Sequence, residues 1–515
     1  MAIEVELKLA VSPRDLRDAR RLLWLKNLTN GPVSRKNIIS VYFDTSKFKL
    51  RNNGLTLRIR NGDHKRLQTI KSIKNCSNGV LGRDEWEVEI AGDEPDLKLA
   101  KDTPFAPLLT PKLKKSLRPV FETHVRRITV PVYFGSSNIK IAFDRGYIKT
   151  DAREEQISEI ELELKKGDRA DLARLSERIA KSIQTAYGAL SKSERGYALS
   201  ASADTQPAFA EEITLTPTVS AGDAFSLIGL SCLHHMAANE NAARNGHSEG
   251  VHQMRVGLRR LRATISVFKN VVQSADAESV NSGLKWLTER LGPARDFDVL
   301  VKESVGPLRE ANPDHPEIAL LEADLAERRL SSFENASAAV AGERYRTVVF
   351  ETALWLLNGD WSRNADLTRE RDQPVTVFAR DALAKRKKKI IRKIGKVARL
   401  DARQRHKVRI AVKKLRYATD YFRSLFAEAK AKKARKRFDK TLKSLQDALG
   451  KLNDISVHER LARQYIHPSK QVRNKPEKAY AMGFLSGGEK NISRVCLTSA
   501  ANAGAKLSQL QPFWR

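Results

Sequence analysis

Ile3-Glu4-Val5-Glu6-Leu7-Lys8-Leu9 alternates apolar and charged residues one for one, and Ser158-Glu159-Ile160-Glu161-Leu162-Glu163-Leu164-Lys165 repeats the pattern far downstream. Successive side chains of a β-strand point to opposite faces, so each stretch has an apolar face and a face of glutamates and lysine. The same alternation recurs between them. Arg58 and Arg60 lie opposite Leu57 and Ile59; Arg83, Glu85, Glu87 and Glu89 opposite Trp86, Val88 and Ile90; Arg127 opposite Ile128 and Val130; Lys140 and Asp144 opposite Ile139, Ile141 and Phe143. Turn residues such as Asn52-Asn53-Gly54, Asn61-Gly62-Asp63 and Asn78-Gly79 punctuate the runs, and the period of two persists to about residue 165. This predicts an antiparallel sheet or barrel. One such strand would simply turn its charges to water. Six or more, which together mix carboxylates with cations, predict a barrel with its charges inside, where Glu-x-Glu pairs suit hard divalent cations and arginines suit phosphate oxygens.

With 515 residues, 41% of them hydrophobic, the chain exceeds one ordinary core and divides in two. A helix is expected over about 170–186, with Leu172, Leu175, Ile179 and Ile183 on one face and Asp168 as its cap. Residues 201–222 lack a sustained period and read as a linker. Beyond it the period becomes 3.6, so the fold class is α+β: an N-terminal antiparallel β tunnel with helices over 1–200, then an all-α domain over 223–515. That domain contains a duplication. His252-Gln253-Met254-Arg255 through Arg262 aligns with His406-Lys407-Val408-Arg409 through Arg416, and each copy precedes a Leu-Gly turn region, Leu291-Gly292 and Leu449-Gly450. Two helical bundles side by side, about 223–370 and 375–515, are expected.

The net charge is +32, and residues 220–515 carry most of the excess, with 55 Lys+Arg against 32 Asp+Glu; 38 stand against 29 before residue 220. Such an excess repels itself unless a polyanion is near: nucleic acid, acidic membrane or polyphosphate. On a helix His252, Arg255, Arg259 and Arg262 fall within about 80° of arc, as do His406, Arg409, Lys413 and Arg416. Arg260 and Lys414 adjoin the two stripes, and residues 403–416 contain no acid. Aromatics make up 7% of the chain and are not interleaved with the stripes, which argues against base stacking and nucleic acid. The N-terminus lacks a signal-peptide pattern, no apolar run approaches a membrane span, and Cys76, Cys232 and Cys496 match no metal or redox spacing. A soluble, cytoplasmic protein is expected.

The first 200 residues resemble the CYTH family of triphosphate tunnel metalloenzymes, on Glu4-Val5-Glu6-Leu7-Lys8, Tyr42-Phe43-Asp44-Thr45, Leu57 to Arg60, Lys71, Arg83 to Glu87, Asp144-Arg145-Gly146, Glu159 to Lys165, and Lys192-Ser193-Glu194-Arg195 in family order. The resemblance implies an eight-stranded tunnel that hydrolyses inorganic triphosphate. It also implies Mg2+ or Mn2+ held by Glu4, Glu6, Glu159, Glu161 and Glu163, with Lys8, Arg58, Arg60, Lys71, Arg127, Arg145, Lys165 and Lys192 gripping phosphate. Glu4, Glu6, Lys8, Arg58, Arg60 and Lys71 would carry the catalysis. His64 and His124 are expected on the surface. The family's tunnel also supports adenylate cyclase and thiamine-triphosphatase activities; no nucleoside pocket is legible here, so hydrolysis of triphosphate is preferred, with a non-catalytic phosphate-binding scaffold as the alternative. Residues 220–515 resemble the CHAD domain, which implies polyphosphate binding by the two basic stripes and an association with polyphosphate granules. Lys413-Lys414 replaces the guanidinium forks of Arg259-Arg260 in the second copy.

Overall fold

A computed structural model describes residues 5–61, 65–72, 85–101, 103, 106–201, 207–466 and 475–515. Glu4, His64, Cys76, Asn78-Gly79 and Arg83 lie outside these residues. The strands are β1 (Val5–Val11), β2 (Ser34–Asp44), β3 (Leu55–Asn61), β4 (Arg66–Ser72), β5 (Glu85–Ile90), β6 (Arg118–Phe134), β7 (Ser137–Lys149), β8 (Glu154–Lys166) and β9 (Thr185–Tyr187). They form one antiparallel sheet in the order β5-β4-β3-β2-β6-β7-β8-β1-β9. The short β9 extends the edge beyond β1, one strand more than the eight expected.

The apolar face of the sheet is covered by helices. Leu7, Leu9, Ile141 and Ile160 pack under α1 (Pro13–Ala19), α2 (Leu23–Lys26) and α5 (Arg169–Ser182), which supply Leu16, Leu25, Leu172 and Leu175. Phe43, Leu57, Ile59 and Ile70 pack under Leu50 of α3 (Lys49–Asn52) and Leu113 of α4 (Pro111–Ser116). Asp168 caps α5 as expected, its carboxylate accepting from Ala170 N at 2.9 Å. The helix stops at Ser182, short of the predicted 186, because Thr185–Tyr187 is drawn into the sheet. Helix α6 (Lys192–Ser200) starts with a capping box between Ser191 and Glu194 and lies against β6 at Gly196, where a Cβ would come within 2.1 Å of the Phe121 ring.

Residues 207–220 are not a loose linker. Ile213, Leu215 and Val219 are buried, and Leu215 N donates to Ser424 Oγ at 2.8 Å. Ile213 and Leu215 point the same way along the extended run before the turn at 217–218, Val219 follows that turn, and all three join the core of the helical domain.

The helical domain comprises α7 (Ala221–Ala237), α8 (Glu240–Arg244), α9 (Ser248–Val267), α10 (Ala275–Leu300), α11 (Gly306–Ala311), α12 (Pro316–Ala341), α13 (Glu343–Asn358), α14 (Thr368–Asp372), α15 (Val375–Ile394), α16 (Ala402–Tyr421), α17 (Ala429–Ile466) and α18 (Lys475–Gln509). The offset of the motif extends to the helix starts, Ala221 to Val375 and Ala275 to Ala429. The copies meet reciprocally: Ala221 N donates to Gln373 O at 2.9 Å and Val375 N to Val219 O at 2.8 Å. That exchange is the signature of a local two-fold axis. Leu258 and Leu261 share one core with their counterparts Val412 and Leu415, so the two repeats pack side by side through a common core. The two Leu-Gly sites lie inside α10 and α17, not in turns; buried Leu291, Ala294, Leu449 and Leu452 keep both helices continuous through the glycines. Among the described residues, no helix is long and apolar enough to cross a membrane.

Candidate active site

Antiparallel register brings the charged residues of β1, β8, β7 and β6 side by side: Lys8 opposite Glu161, Glu6 opposite Glu163, Glu163 opposite Lys140, Glu159 opposite Asp144, and Asp144 opposite Arg127. These side chains are not a wet surface. Asp144 is 0% exposed, Glu159 6%, Glu161 11% and Lys192 13%. Burying charge is costly unless each group is paired, and the pairing here is dense. Lys8 Nζ lies 3.1 Å from Glu161 Oε1 and 3.4 Å from Glu6. From the first turn of α6, Lys192 Nζ reaches Asp144 at 2.7 Å, the same Glu161 Oε1 at 2.9 Å, and Glu159. Arg127 forks onto Asp144 at 2.8 and 2.6 Å and also touches Glu161. Arg195 joins Glu159 at 3.2 Å to Glu155 at 2.7 Å.

The other half of the face is richer in unpaired donors. Arg58 reaches past β4 to Glu85 at 3.3 Å and donates to Tyr42 Oη at 3.3 Å, while Lys71 binds Glu85 at 2.7 Å. Arg58 Nε and Arg60 Nε are buried without a hydrogen-bond partner, an arrangement that an anion between them would relieve.

The titration behaviour reports this pairing. Burial works against the charged forms of Lys8 and Lys192, yet their carboxylates prevail and both ammonium groups are held above the ordinary lysine range. Burial also opposes ionised Glu161, but Lys192, Lys8 and Arg127 pull it well below the ordinary carboxylate range. Glu6 is pushed up by burial, and Lys8 does not fully offset this. Burial likewise raises Tyr42, but Arg58, Lys71 and Lys192 together hold its hydroxyl below its usual value. Since Tyr42 is on β2 and Lys192 on α6, the two halves of the face act on one space.

Asp144, Glu159 and Glu161 each offer a carboxylate oxygen within 4.8 Å of the others, a group that could hold a metal ion. Glu159 and Glu161 are two of the residues named as ligands from the family resemblance. Glu163 faces the same way but is taken up by Lys140 at 3.1 Å and by Lys165, which is half exposed at the edge. Asp144, Glu85 and Arg195 were missing from the expected set. Asp144 could have been found by its parity with Lys140, whereas Arg195 depends on how α6 packs. Arg145 is corrected: it is exposed on the opposite side of β7, as its odd spacing from Asp144 requires, and cannot reach this face. His124 is partly exposed and bonded to Glu122 at 2.7 Å.

In the helical domain α9 and α16 bring equivalent cations together at the two-fold axis. Burial and then neighbouring Arg409 and Arg259 push the Lys413 ammonium down to about 7. Arg255 is pushed down to about 10 by burial despite Asp296, with Arg259, Arg295 and Arg409 adding repulsion. His252, lowered to about 4 by burial and Arg295, is neutral at pH 7. Arg259 Nε, Arg409 Nε and His252 Nδ1 are buried without partners. The rest of the stripe is dispersed. Arg262 donates to Thr288 at 3.1 Å, Arg416 to Gln446 at 3.2 Å, and His406 pairs with Asn453 at 2.6 Å. Arg260 lies over the Tyr421 ring on the buried side of α9, and Lys414 donates to Ser266 Oγ at 2.9 Å, so neither joins the cluster.

The CYTH domain family matches residues 2–197 and the CHAD domain family residues 228–463. The chain is a CYTH domain joined to a CHAD domain. The CYTH part is similar to an inorganic triphosphatase of Haemophilus influenzae, 31% identical over 201 residues, which are 39% of this chain and 55% of that protein. The chain thus spans about half the length of the curated relative it matches. The crystal structure of the CHAD domain from the plant Ricinus communis superimposes with a TM-score of 0.51 at 27% identity, covering 60% of this chain and 98% of the plant chain.

Proposed function

We propose that the CYTH domain hydrolyses inorganic triphosphate with Mg2+ or Mn2+ and that the CHAD domain holds linear polyphosphate. The observation that carries the first part is the buried carboxylate group Asp144, Glu159 and Glu161 on the same face as Arg58 and Arg60 with their unpartnered Nε atoms. Glu6, Glu159 and Glu161, together with Asp144 and with Glu4 outside the described residues, would hold the divalent ion. When bound it would offset the carboxylate charge, screen phosphate oxygens and make a water more acidic. The chain's own residues do the rest. Arg58, Arg60 and Lys71 bind the phosphate oxygens of one end; Lys8, Arg127 and Lys192 orient the other and neutralise charge as the terminal phosphoryl group transfers. Covered outer faces keep the reacting groups in a low-dielectric space, where each contact is stronger than in water. For the CHAD domain, support comes from the cluster Arg255, Arg259, Arg409 and Lys413, whose mutual repulsion an extended polyanion would relieve. Residence in the cytoplasm at polyphosphate granules follows from that reading.

The test is phosphate release from inorganic triphosphate, ATP, thiamine triphosphate and long polyphosphate, with Mg2+, Mn2+ or EDTA. Metal-dependent turnover of triphosphate above the other substrates, lost in Glu4→Ala/Glu6→Ala, is expected. Turnover of none of them would leave a phosphate-binding scaffold.

A further inference from the structure

One side chain of the helical domain reaches the tunnel's machinery. His234, near the end of α7, approaches Ala189 O with Nδ1 at 3.1 Å and Glu194 Oε1 with Nε2 at 2.9 Å. A carbonyl only accepts, so Nδ1 carries a proton. The other oxygen of Glu194 accepts from Ser191 N at 2.8 Å and closes the capping box of α6, so a single carboxylate joins the helix start to the neighbouring domain. The clamped segment, residues 188–194, connects two cations of the site. At its front Gly188 N donates to Lys8 O at 2.9 Å, and the approach is so close that a Cβ on Gly188 would sit 2.9 Å from Lys8 Cβ. Within it is Lys192. Both lysines end on one atom, Glu161 Oε1.

The surroundings keep this clamp rigid. Phe350, Leu354 and Leu357 of α13 pack against the apolar core of the sheet, Tyr187 packs against the cores of both domains, and Arg169 pairs with Asp223 at 3.1 Å. The far end of α6 is held independently, by Tyr197 Oη on Asp44 at 3.1 Å and by Gly196 against Phe121. Loss of His234 therefore frees only the end that bears Lys192.

We propose that His234 is a positioning residue for the tunnel, through which the docked helical domain sets Lys8 and Lys192 against Glu161. This rests on the triphosphatase reading for its effect on rate, but not for its effect on geometry. In the full chain, His234→Ala is expected to lower kcat for triphosphate by about tenfold or more, since small misplacements of binding groups act on the chemical step, and to change KM less. His234→Gln, whose amide can still donate to Glu194, should recover part of the rate. Arg169→Ala, which breaks another interdomain pair without touching the segment, should leave kcat unchanged. Hydrogen exchange over residues 185–195, measured without substrate, should rise in His234→Ala while the remaining strands keep their protection. Unchanged exchange would overturn the proposal. So would faster exchange with unchanged kcat, or an equal loss of kcat in Arg169→Ala. If wild type turns over no triphosphate but exchange rises in His234→Ala, the triphosphatase reading falls and the clamp stands.

Discussion

Both halves of this protein bury positive charge, but they do so in opposite ways. On the sheet every cation that faces Glu161 or Asp144 is matched with carboxylates, and Lys8, Arg127 and Lys192 are held firmly charged. On the helical domain burial outweighs Asp296 and Asp454, the acids beside Arg255, Arg409 and Lys413, and all three cations are pushed toward losing their protons. A lattice of both signs suits a divalent cation and a phosphate together, because each can replace a partner already present. A cluster whose cations outnumber its acids suits an anion alone. The difference shows that net charge, which singles out the helical half, does not locate chemistry; pairing under burial does.

The largest effect should come from breaking the lattice. Asp144→Ala leaves Arg127 and Lys192 short of a fully buried partner, so unfolding of the CYTH domain in urea should show a loss of about 3–5 kcal/mol, and triphosphate turnover should fall by about a hundredfold or more. Arg259→Glu/Lys413→Glu should then separate the two regions. Long-polyphosphate affinity, measured at fixed salt because such contacts are screened, should fall by about a hundredfold, while kcat for triphosphate stays as in wild type. A similar fall in both would mean that the cluster and the tunnel are one site.

A smaller effect follows from the lowered Lys413. In the free protein its ammonium loses a proton above about pH 7. A bound polyanion favours the charged form, so binding above that pH takes up a proton and weakens by up to about tenfold per pH unit. Below it affinity should be flat with respect to this group. Lys413→Arg should remove the slope, since a guanidinium stays protonated. The smallest effect is expected at Arg145, which faces outward: Arg145→Ala should change triphosphate turnover by less than about twofold.

The sequence alone determined which residues share a face. Alternation in Glu159, Glu161 and Glu163 follows from backbone geometry, because the period of two is a local property of the strand, and the same parity sets Arg145 apart from Asp144 although the family resemblance places it on phosphate. The offset between His252 and His406 likewise marks the duplication, because it is a property of the residue order alone. What only the tertiary structure decided was who meets whom. That Lys192 enters a carboxylate group, that Arg260 lies over Tyr421 and Lys414 bonds Ser266, that residues 207–220 pack rather than dangle, and that His234 reaches the tunnel all depend on contacts between segments distant in the chain. No local period encodes them; they arise where covering apolar surface brings those segments together.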